Sequence, residues 1–211
     1  VEKNTMTWAD GTLSTTVSVT DNKILTDAKV YATWKVDNVA VGDLASTTAG
    51  TFTNDVATIT PTPYTVSSAT ANKTVSLYVY AVKDNQVVWS YTSDAITVNP
   101  KNTADVVKAT ATDVAYNGKI QQATPTLNTV SGTGSLPAEL DGTDDYTIGY
   151  DENSDFVNVT DKPITITLTP KSSAYKGSIT ATYRILSKNL SDKDAIAAEM
   201  VATLKNTSYK F

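Results

Sequence analysis

The stretch that decides the fold runs from Tyr146 to Ile185. It contains four similar segments: Tyr146-Thr-Ile-Gly-Tyr150, Phe156-Val-Asn-Val159, Ile164-Thr-Ile-Thr-Leu168 and Ile179-Thr-Ala-Thr-Tyr-Arg-Ile185. Each segment alternates apolar with polar residues, and each is bordered by Asp, Asn, Gly, Pro or Ser. A period of two is typical of a strand with one buried and one wet face, and the bordering residues favour turns. The stretch therefore predicts short antiparallel strands, but it indicates no chemistry.

The length and composition indicate a folded chain of more than one domain. The 211 residues are 40% hydrophobic and 18% charged. Such a chain can build a hydrophobic core and does not belong to the disordered class. Its length suits two domains of about 100 residues each.

Several classes of function are excluded by the residue types. The chain has no Cys and no His, which excludes zinc sites of the Cys/His type, thiol nucleophiles and Ser-His-Asp triads. The net charge is −5, and Arg184 is the only arginine. Because binding to phosphate backbones needs a concentrated basic face, no nucleic-acid partner is expected. No apolar run approaches the roughly 20 residues of a membrane span, so no membrane insertion is expected.

The first half of the chain, residues 1–99, is interpreted as one β unit. Four residues with an alternating pattern share one strand face: Val30, Ala32, Trp34 and Val36. The turn-forming pair Asp37-Asn38 follows and predicts a hairpin. A buried tryptophan on such a strand resembles the core tryptophan of immunoglobulin sandwiches.

The end of this unit predicts an aromatic hairpin. The segments Val75–Val82 and Val87–Thr92 flank Asp84-Asn85, which we interpret as a two-residue turn. A regular register then places Val82 opposite Val87, Tyr80 opposite Trp89 and Tyr78 opposite Tyr91. One interpretation is a central hairpin whose second face is covered by loops. The other is an exposed patch for a glycan or a neighbouring subunit, with these candidate ligand-binding residues: Tyr78, Tyr80, Trp89 and Tyr91.

The remaining boundaries follow from turn residues. The segment Asn99–Thr103 is predicted to be a linker, because Pro and Asn interrupt the strand pattern there. Residues 101–188 form the second predicted unit. Residues 189–211 are predicted to hold a short helix, capped by Ser191, and the start of a truncated third module.

The second unit resembles a known family. The order Tyr116-Asn-Gly-Lys119, Asp144-Asp-Tyr-Thr-Ile-Gly-Tyr150, Ile164-Thr-Ile-Thr-Leu168 and Tyr175-Lys-Gly-Ser178 is similar to that of bacterial immunoglobulin-like domains. Such domains occur in Gram-positive cell-surface proteins of the surface-layer and adhesin type, and in some phage virions. For the second unit, the resemblance implies an immunoglobulin-like β-sandwich. Together with the strand and tryptophan pattern of the first unit, we expect an all-β fold of two tandem immunoglobulin-like β-sandwiches with a short C-terminal helix that begins a further module. The resemblance also implies an extracellular location on the bacterial surface, or alternatively in a phage virion.

A cluster of acidic residues is the candidate metal site. Asp141, Asp144 and Asp145 stand close together in sequence, and calcium binds such hard oxygen ligands. The segment lacks the residue order of an EF-hand loop, so the alternative is that these residues keep a loop solvated. No cofactor other than calcium is expected.

The sequence as a whole favours a structural role without enzymatic activity. No catalytic residues are identified, since the acids lie at turns between strands and not across a cleft. The expected function is a spacer module of a surface layer, stalk or adhesin. Its expected partners are neighbouring copies, other surface proteins or glycans. The alternatives are a carbohydrate- or protein-binding module that uses the aromatic hairpin, and a virion domain.

Overall fold

The structure is a computed structural model that describes residues 5–7, 11–21, 25–42 and 49–187. Its secondary structure is β-strand with short 3₁₀ turns, so the predicted all-β class is confirmed. Close contacts divide the chain into two compact units. Unit 1 comprises Val1–Asn102 with Ser172–Lys176, and unit 2 comprises Thr103–Lys171 with Gly177–Phe211.

The described strands of unit 1 are short, except for three longer ones in its main sheet. In chain order the strands are β1 Thr5–Thr7, β2 Thr12–Leu13, β3 Val17–Thr20, β4 Lys29–Val36, β5 Val39–Ala40, β6 Val56–Ile59, β7 Tyr64–Thr65, β8 Thr74–Lys83, β9 Gln86–Thr92, β10 Ile96–Asn99 and β11 Lys101–Asn102. The three longer strands are β4, β8 and β9. A late strand, numbered β17 in chain order, Tyr175–Lys176, pairs in parallel with β11.

The strands of unit 2 begin after a 3₁₀ turn at Thr103–Asp105. They are β12 Val107–Thr110, β13 Val114–Ala115, β14 Thr126–Thr129, β15 Tyr146–Tyr150, β16 Ile164–Pro170, β18 Ile179–Tyr183 and β19 Ile185–Leu186. Two further 3₁₀ turns lie at Ser68–Thr70, in unit 1, and at Thr143–Asp145.

The main sheet of unit 1 is built around β8. Its order is β1-β10-β8-β4-β5, and β9 also pairs with β8. Strand β4 pairs antiparallel with β8 from Lys29↔Val82 to Val36↔Val75. On the other side of β8, β10 pairs with its beginning and β9 with its end. Strand β1 runs parallel to β10 and covers the outer edge of that strand.

Two hairpins of this sheet confirm the turns predicted from the sequence. Asp37 and Asn38 have φ of 48° and 67°, and Asp84 and Asn85 have φ of 52° and 61°. Two successive left-handed residues define the turn whose twist matches that of paired strands, and Asn and Asp tolerate it well. Local turn chemistry therefore sets where β4 and β8 end.

The core of unit 1 lies between the main sheet and two strand pairs, β3–β6 and β2–β7. The predicted inner face of β4 is confirmed, because Val30 and Ala32 are fully buried and Trp34 is 8% exposed. Trp34 packs with Val66, Val75 and Val98. The indole Nε1–H of Trp34 donates a 3.0 Å hydrogen bond to the Thr62 carbonyl, which satisfies its one polar group inside the core.

Unit 2 has a three-stranded antiparallel sheet, β15-β16-β18, beside the pairs β12–β14 and β13–β19. The alternation that predicted β16 is observed, since Ile164, Ile166 and Leu168 are at most 1% exposed. Two tyrosines close the core with polar tips: the hydroxyl of Tyr183 donates to the Gln121 carbonyl at 2.8 Å, and that of Tyr150 donates to the Ala123 carbonyl at 3.0 Å. Both units are all-β, and each has a buried core among its paired strands.

One local prediction was wrong. The segment Phe156–Val159 forms bends and not a strand. The Asp155 carboxylate accepts the backbone N–H groups of Val157 at 2.8 Å and Asn158 at 2.9 Å, a turn that competes with strand pairing. Strand β11 lies within the predicted linker, and its pairing with β17 is not visible in a local pattern.

The predicted helix and third module, residues 189–211, lie outside the described residues. Within the described ranges, no helix has the length and hydropathy needed to cross a membrane.

Candidate functional site

The aromatic hairpin of β8 and β9 has an irregular register. Next to the turn, Lys83 pairs with Gln86 and Val82 with Val87, as predicted. The register then shifts between Ala81 and Val82, so that Ala81 lies opposite Trp89. Val88 is therefore an extra residue on β9. Such a β-bulge places two residues of one strand opposite one residue of its neighbour.

The bulge corrects the predicted aromatic ladder. Tyr80 lies opposite Ser90 and not Trp89, and Tyr78 lies opposite Thr92 and not Tyr91. Directly opposed residues share a face of the sheet. Tyr78 and Tyr80 thus lie on one face, whereas Trp89 and Tyr91 lie on the other. The four predicted ligand-binding residues do not form one surface.

The outer face of the main sheet carries a row of stacked tyrosines. The ring centroids of Tyr31 and Tyr80 are 5.3 Å apart, and those of Tyr80 and Tyr78 are 5.2 Å apart. The Lys35 ammonium lies 3.6 Å from the centroid of the Tyr78 ring, close enough for a cation–π interaction. Tyr80 is only 5% exposed, so the middle of the row is closed to a flat ligand.

Sequence reasoning missed Tyr31 and Lys35 as members of this row. Both residues lie in sequence between the buried positions of β4, and this alternation indicated that they share the opposite face of the strand. Their place in the row depends on the pairing of β4 with β8, where Tyr31 lies opposite Tyr80. That pairing joins residues about fifty positions apart, and no local pattern predicts it.

Strand β9 is exposed along its whole length. The exposed fractions are 56% for Val87, 50% for Val88, 37% for Trp89 and 57% for Tyr91. Trp89 and Tyr91 lie on the core-facing side of the sheet. The core cluster on that side contains residues of β4 and β8 but none of β9. Consequently the apolar side chains of β9 extend past the covered core.

The outer edge of β9 also offers main-chain groups. The N–H of Ser93 donates to the Leu77 carbonyl at 2.9 Å. Backbone direction alternates along a strand, so Trp89 and Tyr91 direct their N–H and C=O groups toward β8. Ser90 and Thr92 direct theirs away from the sheet. The edge of the neighbouring β10 is covered by β1, whereas β9 is paired in the described structure with β8 alone.

Of the three acids predicted to hold calcium, one has its carboxylate engaged in a turn. The Asp145 carboxylate accepts the Gly142 N–H at 2.9 Å, which closes the turn before β15. The Lys171 ammonium donates to the Asp144 carbonyl at 2.7 Å, and Asp141 is exposed. Among the residues with described positions, no group of three or more acids could hold a metal ion. The calcium site stays a prediction.

An acidic cleft in unit 1 was not foreseen from the sequence. It has a volume of about 420 Å³, and its lining includes Asp21, Asp27, Lys29 and Asp55. The Asp21 carboxylate accepts the Leu25 N–H at 2.8 Å, and its own N–H donates to the Asp55 carbonyl. These contacts join Asp21 to Leu25 and Asp55, so the cleft has a structural explanation.

Within the described part of the chain, the pKa of three groups is shifted. Burial raises the pKa of the Tyr183 phenol and that of Tyr64, because a buried phenolate loses its hydration. The backbone N–H and side-chain amide of Asn158, with the N–H of Val157, lower the pKa of the Asp155 carboxyl. None of the three belongs to the aromatic hairpin.

Comparisons with known proteins identify no family. No protein-family model matches the sequence, and no curated protein matches it. A search of solved structures found a similar chain in the crystal structure of the titin domains Z1Z2 in complex with telethonin. The protein is similar to that chain with 9% sequence identity and a TM-score of 0.29, over 83% of its own length and 89% of that chain.

Proposed function

We propose that the chain is a non-enzymatic structural module, a spacer in an extracellular bacterial surface assembly such as a surface layer, stalk or adhesin. The observation that carries the proposal is the presence of two β-sandwich units in one chain, each with its own buried core. The order of motifs that resembles bacterial immunoglobulin-like domains supports the surface location.

The physical basis of a spacer is the rigidity of its units. In unit 1, the eight registered pairs between β4 and β8 hold the two longest strands together. In unit 2, β16 is paired on both sides, by β15 and β18. A strand paired on both edges opens only with the whole sheet, so each unit resists local extension.

Immunogold labelling of intact source cells tests the location. Antibodies against the folded chain are expected to label the outside of unpermeabilised cells. Label that appears only after permeabilisation would contradict a surface role. Label on purified virions, with none on cells, would instead support the virion alternative.

A second candidate function is carbohydrate binding, and it is favoured by the exposure of Trp89 and Tyr91. Aromatic rings with one free face are common sugar-binding platforms because they combine apolar area with rigidity. A glycan array with the wild type and Trp89→Ala tests it, and Tyr80→Phe is the control because Tyr80 is buried. Glycan binding lost only in Trp89→Ala would support this function, and an array without binding would oppose it.

A further inference from the structure

We propose that the outer edge of β9 pairs antiparallel with β9 of a second copy of this chain. The proposal starts from the open main-chain groups. Ser90 and Thr92 direct their N–H and C=O groups outward. Strand β10, which pairs with the same side of β8 as β9 does, is itself paired on its outer edge with β1. A long, exposed apolar edge is the kind of surface to which a further strand pairs.

The charge pattern favours a second copy as the partner. A symmetric interface brings each residue near the same residues of the partner, so a charged strand would repel itself. The seven residues of β9, Gln-Val-Val-Trp-Ser-Tyr-Thr, carry no charge, although the chain has a net charge of −5. Natural edge strands are kept from pairing by lysine, proline, covering segments or a β-bulge. Strand β9 has no lysine or proline, and its bulge at Val88 leaves Trp89–Thr92 as the regularly paired stretch.

The direction of the backbone favours one register. Outward-directed residues form the hydrogen-bonded pairs, so Ser90 can lie on the two-fold axis opposite Ser90 of the other copy. Trp89 then lies opposite Tyr91 of the second copy on one face of the joined sheet. Aromatic cross-strand pairs stabilise such a contact. A register shifted by two residues would place Asp94 of one copy opposite Val88 of the other, and a carboxylate beside an apolar side chain is a less favourable pair.

The interface is small, so the isolated dimer is weak. A pair of seven-residue strands buries less than the roughly 1,200 Å² of a standard stable interface. We therefore expect a reversible dimer at high micromolar to millimolar concentration. In an array of tethered copies, the effective concentration is of the same order, and a weak contact is then sufficient. The pairing does not depend on where the chain is located, so its test is separate from that of the proposed function.

Cysteine cross-linking tests the register, because the chain contains no cysteine. Hydrogen-bonded antiparallel partners have Cα atoms about 5.5 Å apart, within the range of a disulfide. Ser90→Cys should therefore form disulfide-linked dimers under mild oxidation. The matched control is Thr92→Cys, an exposed residue on the same face of β9. In this register, the two Thr92 positions are offset by about 13 Å along the strands and cannot be bridged.

Sedimentation velocity over a concentration series tests the association itself. The wild type should show a reversible dimer, and Val88→Lys should raise its dissociation constant by about tenfold or more. Val39→Lys is the control, because Val39 is 70% exposed on β5, at the opposite edge of the sheet. A wild type that remains monomeric at millimolar concentration would overturn the proposal and would favour a strand of another protein as the partner of β9. Equal cross-linking of Ser90→Cys and Thr92→Cys would overturn the register.

Discussion

Tyr80 and Trp89 lie on opposite faces of the same hairpin. The extra residue Val88 shifts the register, so that Tyr80 lies opposite Ser90 and Trp89 lies opposite Ala81. The consequence is a division of roles. Tyr80, which is 5% exposed, holds a stacked row together, whereas Trp89, which is 37% exposed, is available to a partner.

The turn between β8 and β9 depends on two left-handed residues. Asn85 has a φ of 61°, which costs a residue with a Cβ about 1 kcal/mol or more unless it is Asn or Asp. Asn85→Ala should destabilise unit 1 by about 1 kcal/mol, and Asn85→Gly should leave its stability unchanged or raise it. Urea denaturation followed by circular dichroism measures both variants. An equal loss of stability in Asn85→Ala and Asn85→Gly would show that the left-handed backbone of Asn85 does not determine the stability of the turn.

Trp34 should be among the most sensitive core positions of unit 1. Trp34→Ala removes a buried ring and leaves a cavity, so we expect a loss of about 3–5 kcal/mol in the free energy of unfolding. Trp34→Phe keeps much of the apolar contact but leaves the Thr62 carbonyl without its donor, and should cost less. Thermal unfolding ranks the two variants. A Trp34→Ala protein as stable as the wild type would show that the core is not centred on this residue.

Alkaline pH should weaken unit 2 through Tyr183. Burial raises the pKa of Tyr183 in the folded state, so the phenol ionises more easily in the unfolded chain. The resulting stability is fully present below the ordinary tyrosine pKa of about 10 and is lost as the pH rises through the folded-state pKa. Between about pH 8 and pH 12, the free energy of unfolding should fall less in Tyr183→Phe than in the wild type. Tyr64→Phe is the matched variant for unit 1, and identical profiles for Tyr183→Phe and the wild type would contradict the prediction.

Acid should release the turn that follows Asp155. The N–H groups of Asn158 and Val157 lower the pKa of this carboxyl, so its contribution to stability is present above the ordinary aspartate pKa and is lost as the pH falls through the lowered value. NMR titration should give an Asp155 pKa below the ordinary value of an aspartate. In Asn158→Ala, the pKa should rise part of the way toward its ordinary value, because one of the donors is lost. A titration of Asp155 at the ordinary value would rule out this turn.

Local chemistry made much of the fold predictable. The turns at Asp37-Asn38 and Asp84-Asn85 follow from residues that accept positive φ, and the inner face of β4 follows from strict alternation. The bulge was not predictable, because Val88 is apolar like its neighbours and an extra residue in an apolar run leaves no mark in the pattern. The Phe156–Val159 segment alternates like a strand, but the hydrogen bonds to the Asp155 carboxylate compete with that structure.

The candidate site was only partly predictable for the same reason. Trp89 and Tyr91 were identified from their residue type, but their exposure depends on the width of the second layer, which ends before β9. The tyrosine row needed the non-local pairing of β4 with β8. Sequence patterns indicate which residues share a strand face; they do not indicate which strands lie side by side.

Amide hydrogen exchange of β9 at low and high protein concentration tests the central claim most directly. The N–H groups of Ser90 and Thr92 point away from the sheet and should exchange fast in dilute solution. At millimolar concentration, both should slow down in the wild type and remain fast in Val88→Lys. The Tyr91 N–H, directed toward β8, should exchange slowly and at the same rate under both conditions. Exchange of Ser90 and Thr92 that does not change with concentration would contradict the pairing of β9 with a second copy.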